Sequence, residues 1–83
     1  NMIYNIESAV KCLISGDIKK FDLIEGACPA YFERECERLG WIFELEEGYN
    51  GWEVDWWATI TTSEDVEINV YGSMYYGTAE LSM

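Results

Sequence analysis

From residue 41 to residue 71 the side chains change character with a period of two, broken at turn chemistry. Successive side chains of a strand point to opposite faces, so this pattern fits half-buried strands and not an amphipathic helix. Trp41, Phe43 and Leu45 alternate with Ile42, Glu44 and Glu46. Asn50-Gly51 follows, the strongest hairpin signal a short segment offers. The returning segment sets Val54, Trp56, Ala58 and Ile60 on one face and Glu53, Asp55, Trp57 and Thr59 on the other. Ser63-Glu64-Asp65 predicts the next turn, after which Val66, Ile68 and Val70 alternate with Glu67, Asn69 and Tyr71. A last strand, broken by Gly72 and Gly77, is expected over residues 74–81.

The first forty residues follow a different period. Ile3, Ile6, Ala9, Val10, Leu13 and Ile14 recur at helical spacing, and Gly16 stops that helix. Asp17 is placed to cap a second helix carrying Ile18, Phe21 and Ile24 inward and ending at Gly26. Pro29 suits the first position of a third, with Phe32, Cys36 and Leu39 as its buried stripe and Gly40 as its stop. The expected class is α+β: three short N-terminal helices packed on one face of a C-terminal antiparallel meander of three or four strands. Eighty-three residues make a single domain over 1–83, helical over 2–40 and sheet over 41–82.

Reactive chemistry is sparse. There is no His to act as a base near neutral pH, and neither a phosphate-binding glycine loop nor a nucleophile elbow occurs. Cys12, Cys28 and Cys36 are odd in number and lack C-x-x-C spacing, which fits buried thiols in a reducing cytoplasm rather than disulfides or zinc. Glu46, Glu47, Asn50 and Asp55 do not form the twelve-residue calcium loop. The expectation is no enzyme, no metal and no cofactor. No apolar run is long enough to span a bilayer, and no basic segment precedes an apolar one as in a signal peptide. Asn1 before Met2 reads as a tag remnant ahead of the native start.

Charge is the feature that points to a partner. All five cations (Lys11, Lys19, Lys20, Arg34 and Arg38) fall in the first forty residues, so the later residues contribute nine of the formal eleven net negative charges. With the apolar set facing the helices, the other face carries Glu44, Glu46, Glu53, Asp55, Glu67 and Glu80, interleaved with Trp57, Tyr71 and Tyr76, and no cation among them. Like charges on neighbouring strands destabilise a sheet, so such a face makes sense opposite something positive. The candidate partner-binding residues are therefore Glu44, Glu46, Glu53, Asp55, Trp57, Glu67, Tyr71 and Glu80. Trp56 shares its face with Val54 and Ile60 and is expected in the core. Glu33, Glu35 and Glu37 alternate with Arg34 and Arg38, which fits an ordinary ion-paired helix surface. Three helices followed by a hairpin is also the order of winged-helix DNA binders, but here the groove-reading helix would be acidic. The balance argues against direct nucleic-acid or membrane binding, since both need cationic patches.

Short length, strong negative charge, thiols without disulfide spacing and the acidic-aromatic stretch over residues 44–67 give this chain a general character. It resembles small phage-encoded inhibitors, in particular anti-CRISPR proteins and other acidic DNA mimics. The resemblance implies a non-enzymatic inhibitor acting in the host bacterial cytoplasm. Its partner would be a basic nucleic-acid-binding protein or complex, such as a type I CRISPR surveillance complex. Two alternatives are an antitoxin or immunity protein masking a basic toxin, and an accessory domain whose acids serve solubility.

Overall fold

The computed structural model describes residues 5–22, 27–46 and 55–83. The expected Asn50-Gly51 turn, Ile3, Ile24, Gly26, Glu53 and Val54 lie outside the described residues. Helix α1 (Ile6–Ser15) starts where the Asn5 side chain accepts the Ser8 N–H at 2.8 Å, satisfying one of the donors a helix start leaves open. It ends at Gly16, whose φ of 82° lets its N–H turn back to the last carbonyls. Helix α2 (Pro29–Leu39) begins on its proline and stops the same way at Gly40, with the Trp41 N–H donating to the Cys36 carbonyl at 2.8 Å. Ile6, Ala9, Val10 and Leu13 of α1 and Phe32 and Cys36 of α2 are buried, as the helical spacing requires, whereas Leu39, expected in the buried stripe, is half-buried and Ile14 is exposed.

The sheet has five strands: β1 (Lys20–Asp22), β2 (Ile42–Leu45), β3 (Asp55–Thr61), β4 (Glu67–Ser73) and β5 (Thr78–Ser82). Their order across the sheet is β1-β5-β4-β3-β2, and every neighbouring pair is antiparallel. The α+β class and the antiparallel C-terminal sheet match the periodicity. Two described helices replace the expected three. The segment expected as the second helix contributes β1, which pairs Lys20 with Ser82, Phe21 with Leu81 and Asp22 with Glu80. A helix that short gains few internal hydrogen bonds for its nucleation cost. The same residues read polar–apolar–polar and complete the open edge of β5, so strand pairing wins. The sheet therefore draws one strand from the part expected to be helical.

Two turns differ in detail from expectation. Residues 74–77 form the β4–β5 turn, closed by the Gly77 N–H on the Ser73 carbonyl at 2.9 Å, so the last strand begins at Thr78. Gly72 breaks nothing: it lies within β4, opposite Trp56. The β3–β4 turn is built on Thr62, which is buried and accepts the N–H groups of Glu64 and Val66 through its hydroxyl oxygen at 3.3 and 3.2 Å. Asp65 takes the left-handed conformation at φ 64°, which short polar side chains tolerate.

Both helices cover one face of the sheet, where Trp56, Ala58, Ile60, Ile68, Val70, Ala79 and Leu81 are buried. An aromatic trio joins α2 to the sheet. Phe32 stacks on Phe43 at 5.9 Å between centroids and meets Trp56 edge-on at 5.5 Å. Trp56 lies fully buried, and its Nε1 has no hydrogen-bond partner among the described residues. No described helix is long and apolar enough to cross a membrane.

Candidate interaction surface on the outer face of the sheet

Pleating puts the residues that alternate with the core on the opposite face, and the register arranges them in rows across strands. One row runs Glu44, Thr59, Asn69, Ser82 and Lys20 from β2 to β1. The next begins at Glu46, whose N–H donates to the Trp57 carbonyl at 2.9 Å, and continues through Trp57, Tyr71 and Glu80. Beyond it lie Asp55, Ser73 and Thr78. Glu67 stands at the other end of the face, in the row of Ile42 and Thr61. The strand register thus places Glu44, Glu46, Asp55, Trp57, Glu67, Tyr71 and Glu80 on one face, while Glu53 is outside the described residues.

At the centre, Trp57 and Tyr71 are direct cross-strand partners with ring centroids 5.3 Å apart and planes tilted by 35°. Each remains 41% exposed, whereas Trp56, one position away, is completely covered. The Tyr71 hydroxyl donates to Asp55 Oδ2 at 2.9 Å, which fixes the ring and ties a carboxylate to the border of the aromatic pair. That hydrogen bond, followed by partial desolvation and the nearby charges of Asp55 and Glu80, raises the Tyr71 pKa above the ordinary phenol value.

Two expectations about this face need correction. It is not free of cations: Lys20, brought in by β1, pairs with Glu80 at 3.3 Å. The alternation in Lys20-Phe21-Asp22 is the only local signal of β1, and it is set between residues at helix-like spacing. The negative potential is therefore lopsided, compensated toward β1 and uncompensated toward β2 and β3. Second, Tyr76 is not on the face of a strand. It sits in the 74–77 turn, 76% exposed, with its ring edge-on to Tyr75 at 4.8 Å.

The helix side of the molecule carries different chemistry. Arg38 donates to Glu35 Oε1 through Nη2 at 3.0 Å, and Lys11 pairs with Glu7 at 3.1 Å, as expected of salt-bridged helix surfaces. Arg34 lies over the Tyr31 ring, 5.9 Å from its centroid. An open groove of about 290 Å³ runs between Val10, Ile14, Leu39 and Trp41, rimmed by Glu7 and Lys11. Among the described residues, no group of three or more Cys, Asp or Glu converges as a metal site would require. Two exposed aromatics bordered by carboxylates on a sheet can hold a cationic group by ion pairing and by the negative faces of the rings. The chain matches no protein-family model, no curated protein and no solved structure.

Proposed function

We propose that the outer face of the sheet is a docking surface for a basic nucleic-acid-binding protein. In this reading the chain is a non-enzymatic inhibitor that occupies a Lys/Arg-lined nucleic-acid channel. The observation that carries it is the placement of Glu44, Glu46, Asp55, Glu67 and Glu80 on one face with the exposed Trp57–Tyr71 pair, with Lys20 the sole Lys or Arg among the described strand residues. Clefts that bind nucleic acid concentrate Lys and Arg to neutralise phosphates, and a rigid anionic sheet competes for them without being a polymer. Sheet hydrogen bonding holds the carboxylates in fixed rows, so little order is lost when a partner is engaged. The natural target class is a DNA-binding complex of bacterial defence, of the CRISPR kind, as in the inhibitors this chain resembles.

The test is capture on the immobilised chain from a bacterial lysate, followed by challenge of the captured complex with duplex DNA and with salt. The expected result is a nucleic-acid-binding complex released by either challenge, since DNA competes for the same cleft and salt screens the contacts. A chain carrying Glu44→Lys, Asp55→Lys and Glu67→Lys should keep its circular dichroism spectrum and capture nothing. Capture that survives this triple reversal, or that DNA does not displace, excludes the reading.

A further inference from the structure

Negative charge alone does not distinguish lysine from arginine, but the centre of the outer face does. Trp57 and Tyr71 form an exposed aromatic pair, ring centroids 5.3 Å apart and planes tilted by 35°, with Glu46 and Glu80 following in register on either side and Asp55 held at the edge by the Tyr71 hydroxyl. Neighbouring strands are about 4.8 Å apart, so the row from Glu46 to Glu80 spans roughly 14 Å, wide enough for one planar cation between acidic borders. Both aromatic residues stay 41% exposed, so the pair remains open to a partner beside these carboxylates.

An ammonium group is a strongly hydrated point charge. Over a ring it sits away from bordering carboxylates, and beside a carboxylate it leaves the ring. A guanidinium is flat and weakly hydrated, so it stacks on a ring while its in-plane N–H groups extend outward to carboxylates. This patch sets exposed rings beside carboxylates, the two kinds of group a guanidinium engages at once. The border is also unequal: Glu80 is already paired with Lys20, so among the described residues the bordering carboxylates outside an ion pair are Glu46 and Asp55. A carboxylate has room for several donors, so Asp55 accepts from Tyr71 and still offers lone pairs to a second donor.

We propose that the Trp57–Tyr71 pair is an arginine anchor, on which the partner seats a guanidinium flat against the rings with its N–H groups directed at Asp55 and Glu46. The assignment rests on the outer face being the docking surface, and it names the residue that the partner must present there.

The probes are capped oligo-arginine and oligo-lysine of equal length, titrated calorimetrically into the full chain at low salt. Oligo-arginine should bind wild type about tenfold tighter than oligo-lysine. Trp57→Leu and Tyr71→Leu keep apolar area but remove the aromatic face, and each should bring that ratio toward one by weakening arginine binding alone. Glu44→Gln with Glu67→Gln, on the same face but outside the rows that border the pair, should weaken both peptides and leave the ratio intact. Trp57→Phe, which retains a ring, should keep most of the preference. In unmodified protein, the Trp57 indole N–H resonance should move on titration with oligo-arginine and stay in place with oligo-lysine, a readout needing no variant. Equal affinity of wild type for the two peptides overturns the anchor and leaves the docking surface standing. A preference that persists in both leucine variants also overturns it. If neither peptide binds, the docking surface falls together with the anchor.

Discussion

On the inner face of the β3–β4 ladder Trp56, Ala58, Ile60, Ile68 and Val70 are all buried, whereas the outer face carries hydroxyls, an amide, acids and two half-exposed aromatics. The contrast is sharpest at two adjacent cross-strand pairs. Inside, Trp56 faces Gly72; outside, Trp57 faces Tyr71. The first pair works by vacancy, because the indole needs the space a side chain would fill. The second works by contact, because two rings lean on each other and stay open to solvent. Inner-face packing is constrained by volume, as close-packed cores are. Outer-face chemistry is constrained by little that folding demands, so its aromatic and acidic content is free to serve recognition.

The inner pair gives the largest expected effect. A Cβ on Gly72 would fall inside the van der Waals envelope of Trp56 Cε2, Cζ2 and Nε1, all parts of a rigid ring with no flexible end to swing away. Gly72→Ala should therefore destabilise the fold by about 3 kcal/mol, the upper range for overpacking a core. Adding Trp56→Phe should recover part of that loss, since neighbours sharing one space do not behave additively. Urea midpoints of the two variants and wild type measure this. A Gly72→Ala midpoint equal to wild type would mean that the indole is not held against β4.

A smaller effect separates the helix-covered layer from the exposed one through pH. Cys36 of α2 is 1% exposed, and burial, with a lesser contribution from the Glu35 charge, raises its pKa from 9.0 to about 11. The folded chain therefore keeps its proton where the unfolded chain has released it. Stability from this group is complete below pH 9 and is lost as pH rises through 11. Wild type should lose about 1–2 kcal/mol more than Cys36→Ala across that interval. Denaturant midpoints taken in steps through it give both slopes, and coincident slopes would show that the thiol is not coupled to unfolding.

Much of this architecture is legible in the chain because two periods are written cleanly in it. The glycine stops at Gly16 and Gly40, the Pro29 start and the inward set of β3 and β4 all follow from local chemistry. So does the prediction that Trp56 and Trp57 part ways. What the chain conceals is non-local. Lys20-Phe21-Asp22 is too short to declare itself and becomes a strand because β5 offers an open edge. Its consequence, a lysine on an otherwise cation-free face, was hidden for the same reason. The Tyr71–Asp55 hydrogen bond joins residues sixteen apart through β3–β4 register, which no local pattern encodes. The glycine at 72 reads as a strand breaker in sequence, and only its partner in the ladder reveals it as room for an indole.

The smallest expected effect probes the outer pair with its contacts left in place. Tyr71→Phe keeps the ring against Trp57 and removes only the hydroxyl that Asp55 accepts. An exposed polar contact contributes little to folding, so the melting temperature should shift by less than about 3 °C. The raised Tyr71 pKa means that its favourable contribution is present below the ordinary phenol range and fades as pH climbs through the folded value. In an ultraviolet titration of the phenolates, wild type should retain a late-ionising tyrosine that Tyr71→Phe lacks. Should the late component persist in the variant, it belongs to another tyrosine. The hydroxyl of Tyr71 would then not hold Asp55 in solution, and the outer pair would stand on ring contact alone.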